Sequence, residues 1–137
     1  TPDALEKVLQ ALRGILNSGG EARLICVFGC GGERDRGKRA LMGAVASRLA
    51  DAAIVTNDNP RGEAPRGIIE DIARGMQPNY QVVEDRAMAI YQAIHEAHQG
   101  DVVLIAGKGH ETHQEINGVK LPFNDVGVAK AALNQKA

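Results

Sequence analysis

Three continuous apolar runs of strand length, residues 24–28, 52–56 and 102–106, are separated by segments whose apolar residues recur at helical spacing. A run that is apolar throughout, without alternation, suits a strand covered on both faces. Strands of that kind alternating with helices build βαβ units around a parallel sheet. The expected fold is therefore α/β, a Rossmann-like three-layer sandwich with a mostly parallel sheet. Between the runs, Leu5, Val8, Leu9, Leu12, Ile15 and Leu16 mark a first helix, with Thr1 as N-cap, Pro2 at its first position and a stop at Asn17-Ser18-Gly19-Gly20. A second helix is expected over 37–50 with Leu41, Val45 and Leu49 inward, a third over 65–74 closed by Gly75, and a fourth with Ala87, Ile90, Ile94 and Ala97 inward. A short strand is expected at 81–84. Near the C-terminus, 113–116 and 119–121 flank Asn117-Gly118, a hairpin signal that predicts an antiparallel edge, followed by a last helix over 124–133.

Composition narrows the partners. Sixteen Lys and Arg against seventeen Asp and Glu leave a net charge of −1, so no global field favours nucleic acid or an anionic membrane. Two Phe, two Tyr and no Trp give no stacking platform for single strands. Neither a membrane-length apolar run nor a signal peptide is present, and the expected location is the cytoplasm. Cys26 and Cys30 are not a CxxC pair and read as small buried hydrophobes in a reducing compartment. His95, His98 and His113 lack zinc-site spacing, so no metal is assigned to them. The chain opens directly on a helix start without methionine, which reads as a single domain, residues 1–137, cut from a longer protein.

In an open α/β sheet the strand-to-helix loops emerge at one edge, where ligands bind. Three polar loops meet there: 29–39, 57–61 and 107–111. In the middle one, Asp58-Asn59-Pro60-Arg61, Pro60 stiffens the turn and holds Arg61 ready to grip a carboxylate or phosphate through two parallel hydrogen bonds. A surface turn with a solvated arginine is the alternative. The first loop has P-loop spacing from Gly32 to Lys38, but Arg39 stands where Ser or Thr must hold magnesium, and Arg34 replaces the third glycine of a dinucleotide motif. Stand-alone ATP hydrolysis and NAD binding are thereby disfavoured. What remains is a glycine backbone open to close approach, with Arg34, Arg36, Lys38 and Arg39 at a helix start, an arrangement that suits an anion. A non-catalytic Rossmann-like nucleotide- or anion-binding module fits that loop alone. In the third loop Gly107 and Gly109 admit a backbone contact, Glu111 can accept from an ammonium, and Lys108 and His110 orient groups or support the turn. Together the three loops make a zwitterion receptor: Arg34 and Arg61 for carboxylates, Glu111 for an ammonium, Asn59 for either.

The stretches Thr1-Pro2-Asp3-Ala4-Leu5, Val27-Phe28-Gly29-Cys30-Gly31-Gly32-x-Arg34-Asp35, Gly37-Lys38-Arg39, Asp58-Asn59-Pro60-Arg61 and Gly107-Lys108-Gly109-His110-Glu111 resemble the C-terminal domain of the Mur ligases, over essentially all 137 residues. The resemblance is to the branch that adds meso-2,6-diaminopimelate to UDP-N-acetylmuramoyl-L-alanyl-D-glutamate (UDP-MurNAc-L-Ala-D-Glu), whose signature is the Asp-Asn-Pro-Arg tetrapeptide; lysine-adding relatives lack the arginine. It implies ATP-driven amide formation through an acyl phosphate, in peptidoglycan precursor synthesis. It implies that Arg34, Asn59, Arg61, Gly107 and Glu111 contact the amino acid, that Asp58 and Pro60 shape the motif, and that Asp35 and Lys38 lie near the reacting phosphate. It assigns no catalytic residue to this domain, and ATP, Mg2+ and the UDP-sugar mainly to preceding domains. The fragment alone is expected to fold without catalysing. Glu33 in place of the usual aspartate and Ala40 in place of a common proline depart from the pattern without touching these residues.

Overall fold

The computed structural model describes residues 1–16, 20–108 and 111–136. The expected helix stop at Asn17-Ser18-Gly19, and Gly109 and His110 of the third loop, lie outside the described residues. Helix α1 (Pro2–Leu16) begins where the sequence places it, with the Ala4 N–H donating to Thr1 Oγ1 at 3.1 Å. Strand β1 (Leu24–Phe28) is buried at every residue. After it come α2 (Gly37–Leu49), β2 (Ala52–Val55), α3 (Pro65–Ala73), β3 (Tyr80–Val82), α4 (Arg86–Glu96) and β4 (Val102–Ile105). The chain continues with β5 (His113–Ile116), β6 (Val119–Pro122) and α5 (Asp125–Lys136).

The four strands β1 to β4 form a parallel sheet in the order β3-β2-β1-β4. Side chains alternate across it, as the two-residue repeat of a strand requires. Leu24, Cys26 and Phe28 face one layer, packed with Leu5 and Leu9 of α1, Val45 of α2 and Ile68 and Ile72 of α3. Ile25 and Val27 face the other, packed with Ile90 and Ile94 of α4 and Ala132 of α5. This is the three-layer α/β sandwich anticipated from the sequence.

Several details depart from expectation, each for a physical reason. Strand β4 is only half-buried along its length, because it stands at the edge of the sheet. The hairpin forms with Asn117 and Gly118 both at positive φ, 51° and 74°. That is the backbone an Asn-Gly hairpin turn supplies. It stands as its own two-stranded sheet, tied to the loop after β2 by a bridge from Ile116 to Arg61. Leu41, expected inward, is 57% exposed. The inward face of α2 carries Val45, as expected, and with it Arg39, Gly43 and Ala46. A reading based on apolar residues could not place an arginine there.

Arg39 is 1% exposed because carboxylates meet its guanidinium. It donates to both oxygens of Glu63 at 2.8 and 3.0 Å, to Asp71 Oδ2 at 3.0 Å and to the Gly31 carbonyl at 3.2 Å. Glu63 also accepts from the Glu33 N–H at 2.7 Å. One fork therefore joins α2, α3 and the first loop. The Arg39 bond, reinforced by the Glu33 N–H, holds the Glu63 carboxyl at about 2, and Asp71 shifts the same way, chiefly through its own bond to Arg39. A depressed carboxyl contributes stability above its ordinary value of 4.5 and loses it as the pH falls toward 2. Urea midpoints should thus fall over that interval in the parent, whereas Glu63→Gln should start lower and vary less. Parallel curves for the two proteins would rule out this linkage.

Candidate functional site

The loops after β1, β2 and β4 meet at the carboxyl edge of the sheet, and the first two are in direct backbone contact. A side-chain carbon added to Gly29 would sit 2.2 Å from the Thr56 carbonyl oxygen, and one on Gly32 would sit 1.9 Å from that of Pro60. The Gly32 N–H donates to the Asn59 carbonyl at 2.7 Å, and Arg61 Nη1 donates to the Gly32 carbonyl at 2.9 Å. The glycine stretch was expected to let a ligand approach. Here it lets the 56–60 backbone approach, and the loop's bareness is occupied by the neighbouring loop. Two of its basic residues are engaged as well: Arg39 as described above, and Arg36 with Asp71 at 3.5 Å.

The Asp58-Asn59-Pro60-Arg61 stretch is fixed from the other side by the hairpin. Gln114 Nε2 donates to the Asp58 carbonyl at 2.8 Å, the Glu115 N–H to Asn59 Oδ1 at 2.9 Å, and the Arg61 N–H to the Glu115 carbonyl at 3.0 Å. The Asn117 N–H closes the set on the Arg61 carbonyl at 2.7 Å. These bonds hold Arg61 at φ +53°, a left-handed conformation uncommon outside glycine. Strain of this kind persists where the surroundings over-determine it, and it concentrates at functional positions.

Lys108 is the centre of the arrangement. Its side chain has no solvent exposure, and its ammonium lies 3.0 Å from Asp58 Oδ1 and 3.7 Å from Glu111 Oε1. It donates to Asn59 Oδ1 at 2.9 Å and to the His113 carbonyl at 3.1 Å. The contact with Asp58 is an ion pair off the angle of a hydrogen bond. Asn59 Oδ1 thus accepts from two protein donors, and the amide is fixed with Nδ2 toward Glu111 Oε1, 3.2 Å away. Sequence reading left Asn59 able to bond either sign; the structure makes it a donor. Gly107, at φ +117°, faces Asp58 Oδ2, and only glycine adopts that backbone without strain.

Asn59, Arg61 and Glu111 line one cleft of about 390 Å³, walled by Thr112, His113, Glu115 and Lys120. Arg61 keeps Nη2 without a partner among the described residues, and its Nε lies 3.7 Å from Glu115 Oε1. The cleft thus carries a cation and N–H donors together with the carboxylates of Glu111 and Glu115. Arg34, Asp35, Lys38, Asp58 and Gly107 line a second cleft of about 480 Å³. Gly31, which lines the second cleft, lies against Arg61 of the first: a side-chain carbon there would lie 2.8 Å from Arg61 Nη1 and 3.3 Å from Arg34 Cγ. Arg34 therefore flanks Arg61 across a bare backbone without entering the first cleft. Asp35 accepts from the Gly37 N–H at 3.0 Å, which starts α2.

Burial pushes the Cys26 thiol up to about 12 and, as the largest effect, that of Cys30 to about 11, consistent with packing roles. Among the described residues, no three His, Cys, Asp or Glu gather as a metal site, and no helix is long and apolar enough to cross a membrane. The hairpin's contribution to the cleft, the burial of Arg39 and that of Arg86 were all missed in the sequence. Gln114 and Glu115 carried no motif that would have found them.

Replacing Lys108 by Met should cost about 3–5 kcal/mol in urea unfolding, because it strands a largely buried carboxylate. Adding Asp58→Asn should recover part of that loss. A double variant no more stable than Lys108→Met would show that the Asp58 pair is not its source.

The family description "Mur ligase, glutamate ligase domain" matches residues 1–109. The chain is 57% identical over 134 residues to the UDP-N-acetylmuramoyl-L-alanyl-D-glutamate--2,6-diaminopimelate ligase of Chromobacterium violaceum, covering 97% of this chain and 27% of that protein. It is 55% identical over 135 residues to the protein of the same name from Pseudomonas aeruginosa, again covering 97% and 27%. A solved structure of a protein so named, 44% identical, superposes with a TM-score of 0.90 over 99% of this chain and 28% of its own. A solved domain from Haemophilus ducreyi, 14% identical with a TM-score of 0.60 over 100% of this chain and 85% of its own, shares the fold alone. The chain thus spans about a quarter of the length of the curated relatives it matches. Matched over residues 1–109 and closely related along nearly its whole length, this chain belongs to the Mur ligase family, whose glutamate ligase domain it carries.

Proposed function

We propose that this chain is the amino-acid-binding, C-terminal domain of a cytoplasmic, ATP-dependent ligase. That enzyme joins meso-2,6-diaminopimelate to UDP-MurNAc-L-Ala-D-Glu, forming an amide in peptidoglycan precursor synthesis. The observation that carries the reading is the polarity of the first cleft, where Arg61 and the Asn59 Nδ2 face Glu111. Diaminopimelate has an amino-acid group at each end. One end meets this polarity with its carboxylate toward Arg61 and Asn59, helped by Arg34, and its ammonium toward Glu111. Gly107, Asp58 and Pro60 hold the loops that form the site. The other amine is then aimed at an activated carboxylate, so the domain contributes proximity and orientation to the reaction.

Asp35 and Lys38, in the adjoining cleft with Arg34, are the groups of this chain proposed to face the phosphate side. Lys38 and Arg34 fit an anion there. No three acidic, His or Cys side chains among the described residues gather to hold Mg2+. ATP and Mg2+ would be held mainly by residues outside this chain. Bound there, ATP supplies the phosphoryl group that activates the carboxylate.

Titration of the chain with meso-diaminopimelate, followed by amide shifts of residues 57–61 and 107–111, should saturate. Arg61→Ala should weaken binding by about 2–5 kcal/mol through loss of a charged partner. 1,5-Diaminopentane, which has both amines and neither carboxylate, should give no saturable shift, since sites built on polar pairing discriminate by about 10⁴-fold. Equal binding of 1,5-diaminopentane, or no effect of Arg61→Ala, would defeat the assignment. An ADP titration that moves only the 29–38 amides would favour the nucleotide- or anion-binding module.

A further inference from the structure

Both halves of the first cleft rise from strands that do not touch. In the sheet order β3-β2-β1-β4, β1 separates β2 from β4, so no ladder hydrogen bond sets the spacing between the loop after β2 and the loop after β4. Further out, Lys108 joins the two loops through Asp58 and Asn59; at the strand ends themselves another side chain spans the gap. Arg86, the first residue of α4, is 1% exposed and aims its guanidinium at the ends of both strands. Its Nη1 donates to the Asn57 carbonyl at 2.9 Å and its Nη2 to the Ala106 carbonyl at 3.1 Å. Its Nε and Nη2 also donate to the two carboxylate oxygens of Asp125, each at 2.8 Å, at the start of α5.

We infer that Arg86, held by Asp125, is a positioning residue that fixes the distance between the two recognition loops, and hence between Arg61 and Glu111. Asn57 immediately precedes Asp58-Asn59-Pro60-Arg61, and Ala106 immediately precedes Gly107-Lys108. Two carbonyls beyond the last rungs of β2 and β4 are thereby bound to one rigid fork. A planar guanidinium bonded bidentately to a carboxylate has little freedom, so neither loop can shift without breaking the set. Lysine at this position keeps the charge. Its single ammonium cannot reproduce the fork, so it cannot hold Asp125 and both carbonyls in the same geometry.

The inference rests on the proposed diaminopimelate reading for its functional consequence and on geometry alone for its structural one, and two measurements separate them. The 137-residue chain is compared with Arg86→Lys and with Ile94→Ala, a core change in the same helix that serves as a control for general destabilisation. Native-state hydrogen exchange without ligand should show faster exchange of amides at 57–61 and 106–108 in Arg86→Lys, beyond any change at β1. Ile94→Ala should show no such local excess. In the titration with meso-diaminopimelate, Arg86→Lys should bind about tenfold more weakly, as a small misplacement of paired groups would cause. Ile94→Ala should bind like the parent. Uniform acceleration of exchange in both variants, or equal weakening of binding in both, would overturn the positioning role. A parent that fails to bind diaminopimelate defeats the functional reading instead, and the exchange pattern then decides the clamp by itself.

Discussion

A fully buried ammonium must have its charge balanced and its N–H groups bonded, and Lys108 meets both demands with groups from three separate stretches of chain. Asp58 and Asn59 come from the loop after β2, Glu111 from its own loop and the His113 carbonyl from the hairpin. The lysine is therefore less a binding group than the reason the binding groups face as they do. Its bond to Asn59 Oδ1 turns the amide outward as a donor, and its charge allows Asp58 to sit beside Gly107 with little exposure. With the hairpin bonds at Arg61 and the two glycine contacts of the first loop, this makes one interlocked edge out of segments far apart in sequence.

The fold was largely legible because its signals are local. Apolar runs of strand length, Thr1 before Pro2 and Asn117-Gly118 each specify a conformation through neighbours a few residues away, and each was found where read. The candidate site was legible in its residue types and in the convergence of its loops. It was less legible in the use of each residue. Arg39 reads as a solvated anion ligand until Glu63 and Asp71, more than twenty residues away, are brought to it. Arg86 is a charge in an otherwise unremarkable helix start until Asn57, Ala106 and Asp125 surround it. A buried arginine cannot be told from an exposed one by type, since what decides burial is a partner supplied by tertiary structure.

The glycine-rich first loop shows the same limit from the other direction. Bare backbone after a strand is the usual mark of a phosphate cradle. Here Gly29 and Gly32 are bare because another loop's carbonyls lie against them. Glycine reports that something comes close; which partner it is depends on the rest of the fold. Gly31 differs, being bordered by the side chains of Arg34 and Arg61, one from each cleft.

The hairpin is built apart from the parallel sheet, and every residue of β6 is exposed. It supplies Glu115 and Lys120 to the rim of the first cleft while adding nothing to either hydrophobic layer. Substitution along its outer strand can therefore retune the rim's charge and reach almost free of any folding penalty. A scaffold that carries part of its rim on one outward-facing strand can diverge in what it accepts while its interior stays unaltered.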